Sequence, residues 1–176
     1  MAVGPSDHLR IRVAEPRDAR EIADVHVESW KAAYRGLMPS AFLDGLNATD
    51  RGPAWRDRLA GPLEVMLVVE EAEHVVGWAM GGRSRDVDAP PSTAELFAIN
   101  LDPAVWRRGA GRLLWESCRE SFRLRGYTRA SLWVLEGNVR ARAFYEAQGF
   151  HRDPTLTVTR EFGGAELVEV RYIVDL

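Results

Sequence analysis

The chain has 176 residues, 46% of them hydrophobic and 28% charged, the make-up of a single globular domain able to bury roughly 70% of its unfolded surface. A formal net charge of −3 gives nothing that favours bulk electrostatic binding to nucleic acid or an acidic membrane, and leaves small or cationic partners open. The lone cysteine, Cys118, excludes a disulfide within the chain; no apolar run reaches about 18 residues and the opening MAVGPSDHLR lacks an apolar core, so neither a span nor a signal peptide is expected and a reducing, cytoplasmic setting fits.

In chain order, Leu9 to Val13 alternates and reads as an edge or near-edge strand. Glu15-Pro16 opens a helix with proline in its favoured first-turn place, and Ile22, Ala23, His26, Trp30, Ala33 and Tyr34 fall on one stripe that should pack on a sheet. Gly36 ends it. Residues 39–46 read as a second short helix and 50–60 as another helix or a loop, punctuated by Gly45, Gly52, Pro53, Gly61 and Pro62. Two apolar runs, 65–69 and 75–80, read as a hairpin, and the polar stretch 83–93 with Pro90-Pro91 as a mobile, exposed loop.

Residues 94–101 then form a strand that Asp102-Pro103 must stop, because proline cannot continue the ladder. Beyond the basic turn 104–108, Ala110, Leu113, Leu114, Cys118 and Phe122 recur at helical spacing, which makes Cys118 core filler rather than a nucleophile. Gly109 and Gly111 carry no Cβ and stand where a helix start leaves backbone N–H groups unpaired, the ingredients of a phosphate cradle. It is not a Walker loop, since the only lysine is the distant Lys31, nor a dinucleotide fingerprint, since the third glycine is missing. Gly126 closes the helix, 130–135 is a returning parallel strand, Asn138 to Gln148 is a helix ended by Gly149, and 156–162 and 167–174 are two strands joined at Gly163-Gly164. There are no repeats or low-complexity tracts, and the order implies α/β layering about one mixed sheet.

Two blocks carry a resemblance. Trp106-Arg107-Arg108-Gly109-Ala110-Gly111 resembles the acetyl-CoA loop Q/R-x-x-G-x-G/A of the GNAT superfamily of N-acetyltransferases, with both glycines in place and Trp106 where the family carries Gln or Arg. Asn138 to Phe150 resembles the family segment N-x-x-A-x-x-F-Y-x-x-x-G-F at every lettered position. The resemblance implies one N-acetyltransferase domain over 1–176, with a mixed, mostly antiparallel sheet of about seven strands splayed between the fourth and fifth, and about four flanking helices.

It also implies roles. The co-substrate would be acetyl-CoA, with Ile99, Asn100 and Leu101 along the pantetheine and Arg107, Arg108, Gly109, Ala110, Gly111 and Arg112 about the pyrophosphate. Asn138 would touch the cofactor or serve only as a helix N-cap, for which its residue type is equally suited. Tyr145 would protonate the departing thiolate, where a Phe-Tyr pair without the motif would simply be core. Glu95 stands where some members carry a base acting through water, and where an acid is otherwise merely solvated. Trp30 and Tyr34 would line the acceptor pocket, or be core. A small primary amine is the expected acceptor; an acyl-CoA sensor without turnover and an enzyme acting on protein lysines or N-termini are the alternatives, a base being absent at Trp133. No metal, nucleic acid or membrane is expected, and a homodimer is left open.

Overall fold

Seven alternating or continuously apolar segments become strands of one sheet in the computed structural model, which describes residues 8–176. They are β1 (Leu9–Val13), β2 (Val65–Glu71), β3 (His74–Arg83), β4 (Thr93–Leu101), β5 (Arg129–Leu135), β6 (His151–Phe162) and β7 (Ala165–Asp175). Their spatial order is β1-β2-β3-β4-β5-β7-β6, antiparallel throughout except between β4 and β5. Five α-helices, α1 (Ala19–Ala33), α2 (Ser40–Asp44), α3 (Ala48–Ala60), α4 (Ala110–Leu124) and α5 (Val139–Ala147), accompany it, one more than the expected four or so. The first seven residues, on which the expectation of no leader mostly rests, lie outside the described ones.

β2 is buried on both faces, which is why it reads as an unbroken apolar run. Leu67 and Val69 join Leu114, Trp115, Cys118 and Phe122 of α4 on one side, while Met66 and Val68 join Ile22 of α1 and Trp55 of α3 on the other. Each such fully buried large side chain contributes about 1.5 to 3 kcal/mol. The β2–β3 hairpin runs through Glu70 and Glu71, farther than apolarity alone suggests, and closes at Ala72-Glu73 with both residues in the left-handed region (φ 50° and 67°).

The splay has a local cause. β4 pairs with β5 at only three positions, Thr93 with Arg129, Ala94 with Ala130 and Glu95 with Ser131. Immediately beyond, the β3 register slips between Met80 (opposite Ala98) and Gly81 (opposite Leu96), so Phe97 is an extra residue that bends β4. Gly81 is required there, because a Cβ would stand 2.5 Å from Phe122 Cζ and 2.7 Å from the Glu95 carbonyl. After the bulge, β4 and β5 go separate ways and the backbone of residues 98–101 has no strand partner on the β5 side.

The loop between β3 and β4 is exposed at most of its positions, as expected, but ion pairs tether it to β7. Asp86 and Asp88 reach Arg171 of β7 at 3.2 and 2.8 Å, and the Trp133 indole N–H donates to Asp86 at 3.0 Å. Arg171 also bonds Asp153 at 2.7 Å. A buried guanidinium needs acidic partners, and here the chain supplies them from a stretch 85 residues away, a pairing no local pattern could reveal.

Candidate active site

At the end of β4 the Asp102 carboxylate accepts from the Ala104 N–H (2.8 Å), and the Trp106 indole N–H donates back to the Leu101 carbonyl (3.1 Å). Arg107 (φ 62°) and Gly109 (φ 91°) then take left-handed conformations, a cost of order 1 kcal/mol or more for the non-glycine. The first helical bond of α4 runs from the Leu113 N–H to the Gly109 carbonyl (3.0 Å), so the N–H groups of Ala110, Gly111 and Arg112 are first-turn donors without helical partners. Arg107, Gly109, Gly111 and Arg112 line a cavity of about 620 Å³ that continues into the gap beside β4. Gly111 also lets α4 come close, since a Cβ would lie 3.2 Å from both Leu101 and Phe144.

Arg108 is a correction. Its guanidinium pairs with Glu71 and its N–H donates to the Val105 carbonyl, so both its donor groups serve the fold. In its stead comes a residue the sequence reading passed over. Arg140 of α5 lines the cavity with its guanidinium 3.4 Å from the Trp106 ring centroid, a cation–π stack that restores a positive charge at the place where the loop motif departs. Burial and the nearby Arg107 both lower the Arg140 pKa, and among the described residues neither arginine has an acidic partner. Crowded, partly desolvated guanidiniums beside open N–H donors fit the phosphates of a coenzyme A.

Deeper in, Ile99, Asn100, Leu101 and Asn138 line the cavity, as do Trp30 and Tyr34. Asn138 is buried and its side-chain oxygen accepts from the Ala141 N–H at 3.1 Å, so the N-cap role is real and coexists with a place on the cavity wall. Tyr145 lies among the lining residues, its ring packed against Phe144 and Phe150 (centroids 5.2 and 5.7 Å). Among the described residues no group bonds its hydroxyl, and burial, with a contribution from Tyr34, raises its pKa well above the tyrosine range. Tyr34 is pushed up to about 12 by burial and by Glu169, and stacks edge-on with Trp30 at 5.0 Å.

Glu95 is the second correction. It is buried as expected, but it sits at the paired end of β4, not in the gap, and the Arg85 side chain and backbone N–H occupy both its oxygens (2.5 to 3.2 Å). It does not line the cavity; Phe97, over which Arg85 lies at 4.2 Å, does. Among the described residues the one carboxylate on the wall is Glu169 of β7, which the sequence reading missed because one acid in an alternating, hairpin-forming strand carries no distinguishing signal.

Residues 23–150 match the model of the acetyltransferase (GNAT) family. The chain belongs to that family. An uncharacterized N-acetyltransferase of Bacillus subtilis, YuaI, is 32% identical over 163 residues, covering 92% of this chain and 90% of that one. A mycothiol acetyltransferase of Beutenbergia cavernae is 41% identical over 141 residues, 80% of this chain but 44% of that longer protein. The PaiA N-acetyltransferase of Thermoplasma acidophilum, solved with coenzyme A, shares the fold with a TM-score of 0.67 at 18% identity over 92% of this chain and 97% of that one. This GNAT chain is accordingly an N-acetyltransferase that draws its acetyl group from acetyl-CoA. Among its described residues no helix is long and apolar enough to cross a membrane.

Proposed function

We propose that this acetyltransferase acetylates the primary amine of a small molecule by direct attack, with Tyr145 as the general acid. Bound acetyl-CoA supplies an activated acyl carbon on a thiol leaving group. The amine nitrogen forms its bond to that carbon as the carbon–sulfur bond breaks; the amine proton passes to solvent, the Tyr145 phenol gives its proton to sulfur, and water restores the phenol. The observation that carries this reading is the Tyr145 hydroxyl, without a hydrogen-bond partner among the described residues and on the wall of the same cavity as the arginine-lined cradle. A phenol already hydrogen-bonded in a packed core would have no such availability.

Supporting residues have separate tasks. Arg107, Arg112, Arg140 and the first-turn N–H groups of α4 hold the phosphate end, and the unpaired stretch of β4 offers backbone groups to the pantetheine arm. Trp30, Tyr34 and Phe97 exclude water from the acceptor end, which strengthens every polar interaction made there. A small acceptor is supported by the aromatic wall; among the relatives one is named for mycothiol, and another, matched over 58 residues, for the alanine of ribosomal protein bS18. The test is release of free thiol from acetyl-CoA on incubation with a panel of small primary amines and of peptides. Amine-dependent release with acetylated small product is expected; release with peptides alone, or acetyl-CoA binding with no release under any acceptor, contradicts the reading.

A further inference from the structure

We propose that Glu169 makes the acceptor end of the cavity selective for an amine that carries a second, non-reacting positive charge, so that the substrates are diamine-like cations. The inference rests on the transferase reading above and deepens it. The cavity carries both charges: Arg107 and Arg112 at the start of α4 and Arg140 of α5 are its cations, and among the described residues Glu169 is the one anion on its wall. Glu169 sits in β7 opposite Leu135, the last residue of β5, in the company of Tyr34, Trp133 and Phe162 on the wall. Its side chain is only 15% exposed. Arg160, itself half exposed, donates through Nε to Oε2 at 2.6 Å. The other oxygen, Oε1, accepts no hydrogen bond among the described residues.

A sheltered carboxylate with a free oxygen and aromatic rings beside it has the chemistry of an ammonium site, by ion pairing and cation–π attraction together. The cation held there is not the reacting nitrogen. A nitrogen that attacks must be uncharged, and a carboxylate at its side would hold its proton on. Tyr145, the phenol that serves the leaving thiolate, comes from α5 and Glu169 from β7, so the two stand on different elements of the cavity wall. Two nitrogens are therefore needed, one at each place.

The experiment compares acetylation of 1,5-diaminopentane, pentylamine and 5-aminopentan-1-ol, measured as kcat/KM by thiol release at a pH where the distal ammonium is charged. Wild type should prefer the diamine over both others by ten- to hundredfold, the worth of one hydrogen bond to a charged group. Glu169→Gln should bring that ratio close to one. Arg160→Ala, which strips the carboxylate of its internal partner, should raise the ratio, and this exposed-residue variant carries the test alone if Glu169→Gln does not fold. Equal use of the three amines by wild type, or a Glu169→Gln enzyme that keeps the preference, overturns the inference and leaves the transferase reading standing. Acetyl-CoA binding with no amine acetylated overturns both.

Discussion

Trp106 and Arg140 show how one residue's departure from a motif can be answered by another. Their stack at 3.4 Å puts a guanidinium in the cradle from a different helix, and because Arg140 has no acidic partner among the described residues its charge is available to a phosphate. Arg140→Ala should weaken acetyl-CoA binding about ten- to hundredfold, the usual worth of a charge-assisted hydrogen bond in a partly desolvated site, and should flatten the salt dependence of the dissociation constant. Calorimetry at two ionic strengths checks both; an unchanged constant would remove Arg140 from the site. Arg140 was not legible in the sequence, since it lies at an unlettered position of the Asn138 to Phe150 block and only folding stacks it on Trp106. Glu95 shows the converse. Its strand position was legible, but the partner that occupies it, Arg85, comes from a loop whose course no periodicity records. Gly109, Gly111 and Asn138 were readable in advance because backbone conformation, close approach and capping leave residue-type signatures, whereas the role of Tyr145 came only with the family resemblance.

At the scale of elements, boundaries followed local chemistry where local chemistry decided. Proline at Pro103, glycine at Gly126 and Gly149, and apolar spacing in α4 placed the central strand-turn-helix unit almost to the residue. Reach failed where long-range pairing decided, as in β6, which starts at His151 and carries a register slip between Arg152 and Thr157 that propensity does not announce. Helix α1 holds a second consequence. His26 packs among Trp30, Trp55 and Trp78 (ring centroids 5.1 to 5.8 Å), and its ring nitrogens, buried, have no hydrogen-bond partner among the described residues. Burial, aided by Arg51, lowers its pKa from 6.5 to about 4. The folded state thus refuses a proton that the unfolded chain accepts, and stability should fall as pH drops through the window from 6.5 to 4. Between pH 7.5 and pH 5 the loss should be about 2 kcal/mol, read from urea midpoints, and His26→Phe should remove most of that slope. A slope unchanged in the variant would assign it to other groups.

For the whole molecule, the sheet's division into two diverging halves is both the fold's signature and the origin of its site. The bulge at Phe97 opens the gap, and the far side of that gap is kept in place by β7, through Arg171 and its three aspartates. Arg171→Leu would leave buried Asp153 and half-buried Asp86 without a cation and should cost about 3 to 5 kcal/mol, measured by chemical unfolding; a loss under about 1 kcal/mol would show the clamp to be incidental. In the proposed mechanism this architecture delivers the Tyr145 hydroxyl to the departing sulfur. Its most direct test is single-turnover acetyl transfer by Tyr145→Phe, with acetyl-CoA affinity and melting temperature measured on the same preparation. The transfer rate should be lower by roughly 10² to 10⁴ with affinity nearly unchanged. A folded Tyr145→Phe enzyme that transfers acetyl within about threefold of wild type would contradict it.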